Sequence, residues 1–375
     1  MKIGFDAKRA VNNNTGLGNY SRLVIDVLSE YYPENDYLLY APKIKDNNRL
    51  SPLLRRNNVK LHKPQGFMGR VFSSIWRVGN GMVKDYMRDG IELFHGLSNE
   101  LPLAVKGTVP SVVTIHDLIF LHFPQFYKPI DCKIYNYKFR KACENASRII
   151  AVSECTKRDI VDIYGITPGK IDVVYQGCDE IFKRKCSQDE LMAVKRKYNL
   201  PEDDFILYVG TVEERKNVLL AVKALRSMDV NAKLVIVGRE THYARQVHEY
   251  VNKYGLEGRV FFKQIHFQDL PAVYQMARAF TYPSRYEGFG IPLLEALCSG
   301  VPVVAATGSC LEEAGGEGSI YVNPDDADGL AAALTRVMKD EQLRREMVAD
   351  GKKYAAKFTR ESIAENIMNV YKKVL

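Results

Sequence analysis

Short apolar runs, each closed by a polar or glycine-bearing stretch, recur along the whole chain. In the first half they fall at 2–6, 37–41, 93–96, 111–115, 148–152 and 171–175; in the second, at 205–210, 234–238, 260–262, 279–283 and 301–306. Runs of this length, apolar on both faces, are what a parallel sheet sandwiched between helices requires. Helical patterns stand between them, so strand and helix alternate twice over. That repetition predicts an α/β chain of two doubly wound, Rossmann-like domains facing a cleft. After Gln176-Gly177-Cys178-Asp179 the composition turns charged through Lys183, Arg184, Lys185, Asp189 and Glu190, which places the boundary between domains of 1–180 and 181–357.

Two stretches depart from this alternation. Residues 42–63 are polar and basic and read as a loop or irregular connection. From Phe67 the period becomes helical: Phe67, Val71, Ile75, Val78 and Met82 share one face, while Arg70, Arg77 and Lys84 line another. A basic amphipathic helix over 67–82 is suited to peripheral contact with a membrane, and equally to an ordinary core-facing helix with a solvated basic side. The tail from 341 to 375 is helical in pattern and rich in Lys, Arg, Ala and Met.

Composition narrows the class. A chain of 375 residues exceeds one ordinary core, and 46% apolar with 26% charged residues is a globular composition. The opening Met1-Lys2-Ile3-Gly4-Phe5-Asp6 has an acid where a leader's apolar region would continue, and no window has the length of a membrane span, so a cytoplasmic protein is expected. Seven scattered cysteines without CxxC spacing point to reduced thiols rather than a disulfide framework or zinc site. The formal charge of +8 suits a phosphate-rich ligand or an anionic surface; without a nucleic-acid motif, no nucleic-acid partner is expected.

The most informative chemistry lies between the runs at 279–283 and 301–306. There the sequence reads Ser284-Arg285-Tyr286-Glu287-Gly288-Phe289-Gly290-Ile291-Pro292-Leu293-Leu294-Glu295, ending at Gly300. Pro292 suits the first position of a short helix and Gly300 its stop. Gly288 and Gly290 allow close backbone approach, and the helix N-terminus favours an anion such as diphosphate. Two carboxylates there make sense facing hydroxyls rather than phosphate, because they accept hydrogen bonds from sugar diols. A nucleotide sugar has both features.

The spacing of Glu287 and Glu295 around Gly-Phe-Gly resembles the signature of the retaining glycosyltransferases of family four, which have the GT-B fold. The resemblance implies that Glu287 contacts the donor sugar and Glu295 the nucleotide ribose, with Gly288, Phe289, Gly290 and Ile291 lining the donor. It implies that Gly16 and Gly18, in the loop 12–20 after the first strand, also face the donor. His116, in the Ile115-His116-Asp117 strand end, resembles the family histidine that helps to hold the donor sugar; His95 is a weaker candidate. Arg215 and Lys216, in Thr211-Val212-Glu213-Glu214-Arg215-Lys216-Asn217, resemble its basic diphosphate clamp, although Thr211 stands where many members have a further Arg. The fold implied by the resemblance has a last helix, 358–375, crossing back to the first domain.

The resulting expectation is a hexosyltransferase resembling bacterial polysaccharide mannosyltransferases, using a GDP- or UDP-linked sugar, GDP-mannose by resemblance, and a saccharide or lipid-linked acceptor. No Asp-x-Asp motif stands at a strand end of the first domain, so no metal is expected, and no cofactor beyond the donor itself. A nucleotide-sugar epimerase or hydrolase and a non-catalytic nucleotide-sugar binder are the alternatives. An NAD-dependent enzyme is disfavoured because the first glycine loop lacks the third glycine and a following ribose acid.

Overall fold

Among the described residues, seven parallel strands form the first sheet, in the order β3-β2-β1-β4-β5-β6-β7. They are β1 (Lys2–Asp6), β2 (Asp36–Tyr40), β3 (Val59–His62), β4 (Leu93–Gly96), β5 (Ser111–Ile115), β6 (Arg148–Ala151) and β7 (Ile171–Val173). A second sheet of six parallel strands has the order β10-β9-β8-β11-β12-β13, with β8 (Phe205–Val209), β9 (Lys233–Val237), β10 (Val260–Lys263), β11 (Ala279–Tyr282), β12 (Val303–Ala306) and β13 (Ile320–Val322). The computed structural model describes residues 1–42, 49–64, 76–77 and 80–375. The chain divides into two units, Met1–Gln176 with Thr359–Leu375, and Gly177–Phe358.

Each sheet reverses its strand order once, at β1/β4 in the first unit and at β8/β11 in the second. A crevice opens outside the carboxyl ends of the strands at such a point, because the connections on either side run to opposite faces. The central strands carry the near-unbroken apolar runs this layering demands: every residue of β5 and of β11 is buried. The first unit's core includes Ile3, Phe5, Val24, Leu28, Tyr37 and Leu39 from the early chain together with Ile363, Ile367, Met368 and Tyr371 from the Arg360–Lys372 helix. Thr359 caps that helix by accepting from the Ser362 amide at 3.1 Å. Arg360 pairs with Asp26 at 2.8 Å and Glu30 at 2.5 Å, which fixes the helix against Gly16–Tyr31.

Several expectations are corrected. The polar stretch 42–63 contains the edge strand β3 and a short 3₁₀ turn at Leu53–Arg55. The tail is helical as expected, in two helices, Glu341–Ala355 and Arg360–Lys372, the second of which joins the first unit. The amphipathic helix expected over 67–82 lies mostly outside the described residues, but Arg77 within it is described and does not belong to a solvated basic face. Its guanidinium is buried, 2.6 Å from Asp6 and 2.7 Å from Glu100. Burial works against the charge, and the two carboxylates outweigh it and hold Arg77 firmly protonated. The seven cysteines are all free thiols, and Cys178 Sγ lies 3.2 Å from Cys298 Sγ.

Candidate functional site

In the second unit the two loops at the strand reversal carry the predicted chemistry. After β8 the chain turns through Glu214–Lys216 into Asn217, whose left-handed backbone (φ 56°) starts the Val218–Ser227 helix. The Asn217 amide group donates to Pro283 O at 3.2 Å and Pro324 O at 2.8 Å, and Arg285 N donates to Arg215 O at 2.9 Å. These bonds lock the loop after β8 to the loops after β11 and β13. Across the junction Arg215 Nη1 reaches Glu287 Oε2 at 2.9 Å, while its Nη2 bonds Glu213 Oε1 at 2.7 Å. Lys216 Nζ stands 4.0 Å from Glu287 Oε1, and Tyr282 OH (3.0 Å) and Ser284 Oγ (2.9 Å) donate to that same oxygen.

The electrostatics follow from this cage. Burial pushes the Glu287 carboxyl up, but the Arg215 and Lys216 charges and the Ser284 hydrogen bond outweigh it and hold the group at about 2. Glu287 is therefore ionised at any physiological pH. Glu295 is driven the other way: burial raises it to about 7, against the Tyr274 hydroxyl that donates at 2.9 Å. Eight residues apart, the carboxyls are driven to opposite sides of the ordinary carboxylate value.

Gly290 sits at φ 124° and starts the Ile291–Cys298 helix, whose first turn has no side-chain cap. Pro292 occupies the second helical position rather than the first, where its missing N–H is equally harmless. A Cβ on Gly290 would stand 3.0 Å from Ala314 and Leu311 side-chain carbons, so packing as well as backbone conformation requires the glycine. Cys310 Sγ contacts the carbonyls of Glu287 (3.0 Å) and Phe289 (2.9 Å), which fixes the turn from behind. Uncapped N–H groups at a helix start beside a lysine form a cradle for an anion, and an ionised carboxylate alongside accepts hydroxyl protons.

In the first unit the helix Gly16–Tyr31 begins directly in the glycine loop, again with no side-chain cap. Gly16 faces open space, whereas a Cβ on Gly18 would collide with Asn13 O at 1.9 Å. The requirement for glycine at 18 thus comes from the loop itself. Asn99, at φ 62°, holds the His116 amide through its side-chain oxygen at 2.7 Å. His116 Nε2 lies 3.0 Å from Leu97 O, which can only accept, so Nε2 carries the proton and Nδ1 is an acceptor. Burial lowers His116 to about 4, leaving it neutral. His95 is fully buried, bonded to Tyr371 OH at 2.7 Å and Thr114 Oγ1 at 2.8 Å, and burial lowers it to about 3. Thr114 in turn meets Tyr20 OH at 3.1 Å, and the Tyr20 ring packs edge-on to His116. His95 is a structural support beneath Tyr20 and His116.

The structure thus gathers Arg215, Lys216, Glu287 and Glu295 in one unit, and Gly16, Gly18, His95 and His116 in the other. Sequence reasoning missed Tyr282, Ser284, Glu213, Asn217 and Asn99. Tyr282 and Ser284 flank the Glu287 motif and were legible only as strand end; Asn99, far from His116 in sequence, left no signal.

Comparison with known proteins bears on the family and the fold. The family model described as Glycosyl transferases group 1 matches residues 193–354, and that described as Glycosyltransferase Family 4 matches 25–181. The chain is 28% identical to O-antigen chain mannosyltransferase B of Escherichia coli, over 99% of this chain and all of that one. It is 26% identical to O-antigen chain mannosyltransferase RfbU of Salmonella typhimurium, over 72% and 73% of the two chains. Among solved structures, HepE of Anabaena in complex with UDP and glucose superposes over the full length of both chains with a TM-score of 0.77 at 19% identity. WaaG, a glycosyltransferase of lipopolysaccharide biosynthesis, gives 0.73 at 15% identity over 99% of each. With one glycosyltransferase model on each half, a mannosyltransferase relative aligned over its full length and the two-sheet fold in common, the chain belongs to the GT-B glycosyltransferases of family-four type.

Proposed function

We propose that this glycosyltransferase is a retaining hexosyltransferase that moves mannose from GDP-mannose to a hydroxyl of a saccharide or lipid-linked acceptor in bacterial cell-surface polysaccharide synthesis, at the cytoplasmic face of the membrane. The observation that carries the reading is Glu287, held ionised by Arg215, Lys216, Tyr282 and Ser284 beside an uncapped helix start at the β8/β11 reversal. The bond between the sugar's anomeric carbon and the diphosphate breaks, a bond to the acceptor oxygen forms, and the acceptor's proton leaves with the phosphate. Lys216 and the N–H groups of the helix start meet the charge that grows on the leaving diphosphate. Arg215 turns three of its five N–H donors to Glu287, Glu213 and the Tyr286 carbonyl, and acts chiefly by holding Glu287 in place. Glu287 orients the sugar hydroxyls, Glu295 accepts from the ribose, and Gly16 and His116 contact the donor as the family resemblance implies. No cofactor or metal takes part, and the mannosyltransferase relatives favour mannose over other hexoses.

The test is a panel of GDP- and UDP-sugars with and without EDTA, read by donor-dependent thermal shift and by the anomeric configuration of the product. Transfer from GDP-mannose with retention, unaffected by EDTA, is expected. Glu287→Gln is expected to abolish transfer while GDP still binds, and Lys216→Ala to lower kcat by about 10²–10³ with a smaller loss of donor affinity. Turnover of donor at full rate without acceptor would instead make the protein a hydrolase or epimerase.

A further inference from the structure

The helix Pro129–Asn145 of the first unit presents the wrong kind of face to solvent. Its inner side is formed by Phe139, Ala142 and Cys143, all buried. Its outer side carries Ile130, Ile134 and Tyr137 at spacings of four and three, exposed by 61%, 43% and 56%. Single exposed apolar residues are ordinary, but three large ones in a row along one helix face form a patch that needs a partner. The patch extends beyond the helix: Ile134 and Tyr137 also line a cavity of about 280 Å³ with Leu101, Pro102 and Leu103, and Leu103 is itself 41% exposed.

Lysines border the stripe. Lys128 and Lys133 are exposed and make no ion pair among the described residues. Lys141, on the same helix face one turn beyond Tyr137, is 41% exposed and paired with Glu144. From Lys128 to Asn145 the segment has Lys128, Lys133, Lys138, Arg140 and Lys141 against Asp131 and Glu144, five minus two or +3. A protein–protein core excludes lysine, whereas a lipid interface accepts large apolar side chains below the headgroups with lysines reaching up to the phosphates.

We propose that the outer face of Pro129–Asn145 docks on an anionic lipid bilayer, with Ile130, Ile134 and Tyr137 inserted and Lys128 and Lys133 on the headgroup phosphates. This surface is separate from the 67–82 helix, most of which lies outside the described residues and whose Arg77 is committed to Asp6 and Glu100. It rests on the proposed function only in that a lipid-linked acceptor would be met on the same bilayer.

The experiment is cosedimentation of the full chain with vesicles of phosphatidylcholine alone or mixed with phosphatidylglycerol, at low and high salt. Binding to the anionic vesicles at low salt, weakened by salt, is expected. Ile130→Ser/Ile134→Ser/Tyr137→Ser is expected to lower partitioning at least tenfold. Lys128→Gln/Lys133→Gln is expected to lower it severalfold and to flatten the salt dependence. Both should keep the thermal midpoint and GDP affinity of the parent. Equal partitioning of parent and triple variant, no binding by the parent at low salt, or a dimer of the parent that the triple variant abolishes without any vesicle binding would each overturn the proposal. Sugar transfer to a free saccharide without vesicles reports separately on the proposed function: its failure alongside intact vesicle binding would count against that reading and not this one.

Discussion

Glu287 and Glu295 are both half-buried, yet their surroundings drive them apart, and the difference has a stability consequence for each. Glu287 is depressed from 4.5 to about 2, so its contribution is fully present above 4.5 and is lost as pH falls through 2. Glu295 is raised from 4.5 to about 7, so the folded state holds a proton that the unfolded state releases. Stability from this group therefore falls as pH rises from 4.5 to 7, by roughly 3 kcal/mol at most, and stays lower above. Glu295→Gln keeps the Tyr274 bond and removes that cost. The expected result is a higher thermal midpoint than the parent's at pH 8, little difference at pH 5, and nucleoside diphosphate binding weaker by about 1–3 kcal/mol in calorimetry. An equal midpoint shift at both pH values would show that the effect is not the carboxyl's titration. The two glutamates were legible in sequence because their spacing sits inside a strand, a glycine turn and a helix with proline in its first turn. Their opposite states were not, since Arg215 comes from a loop some seventy residues earlier and only the parallel pairing of β8 with β11 brings it near.

At the scale of elements, glycine turns that look alike in sequence do different work. Gly16 and Gly18 both begin the helix Gly16–Tyr31, yet only Gly18 has its Cβ space occupied, by the Asn13 carbonyl. Gly18→Ala should force the loop apart and cost about 1–3 kcal/mol, the scale of an overpacked site. Gly16→Ala should leave stability nearly unchanged and register only in donor binding. Thermal melts beside donor titration separate the two; a large stability loss in Gly16→Ala would remove it as a ligand-approach position. The regular elements themselves were readable wherever both faces of a strand are covered, as in β5 and β11, because the apolar run is continuous. The edge strand β3 was missed for the complementary reason. Only Val59 is buried in Val59–His62, and Lys60 is exposed, so it has no run to detect. Arg77 was misplaced because period alone cannot distinguish a solvated cation from one that closes a buried pair with Asp6, seventy-one residues away.

At the scale of the whole molecule, the chain leaves the first unit at Gln176 and returns to it at Thr359. The returning helix supplies Ile363, Ile367, Met368 and Tyr371 to the core and the hydroxyl that holds His95. A chain ending at 358 should therefore lose much of the first unit's stability while the second still folds. The measure is limited proteolysis with mass spectrometry: fragments within 177–358 should persist and those within 1–176 should disappear, whereas resistance of both would show the helix to be dispensable. The two-domain plan was legible from repetition of strand and helix, but a segment's packing partner depends on long-range contacts that no local pattern encodes. That return has a consequence in time as well as space. A ribosome delivers β1 to β7 first and the second unit next, and only afterwards the helix that covers Val24, Leu28 and Phe5. The half that is synthesised first is thus the last to be completed. Throughout elongation it offers an uncovered apolar face, which makes it the part of the nascent chain on which holding chaperones should act.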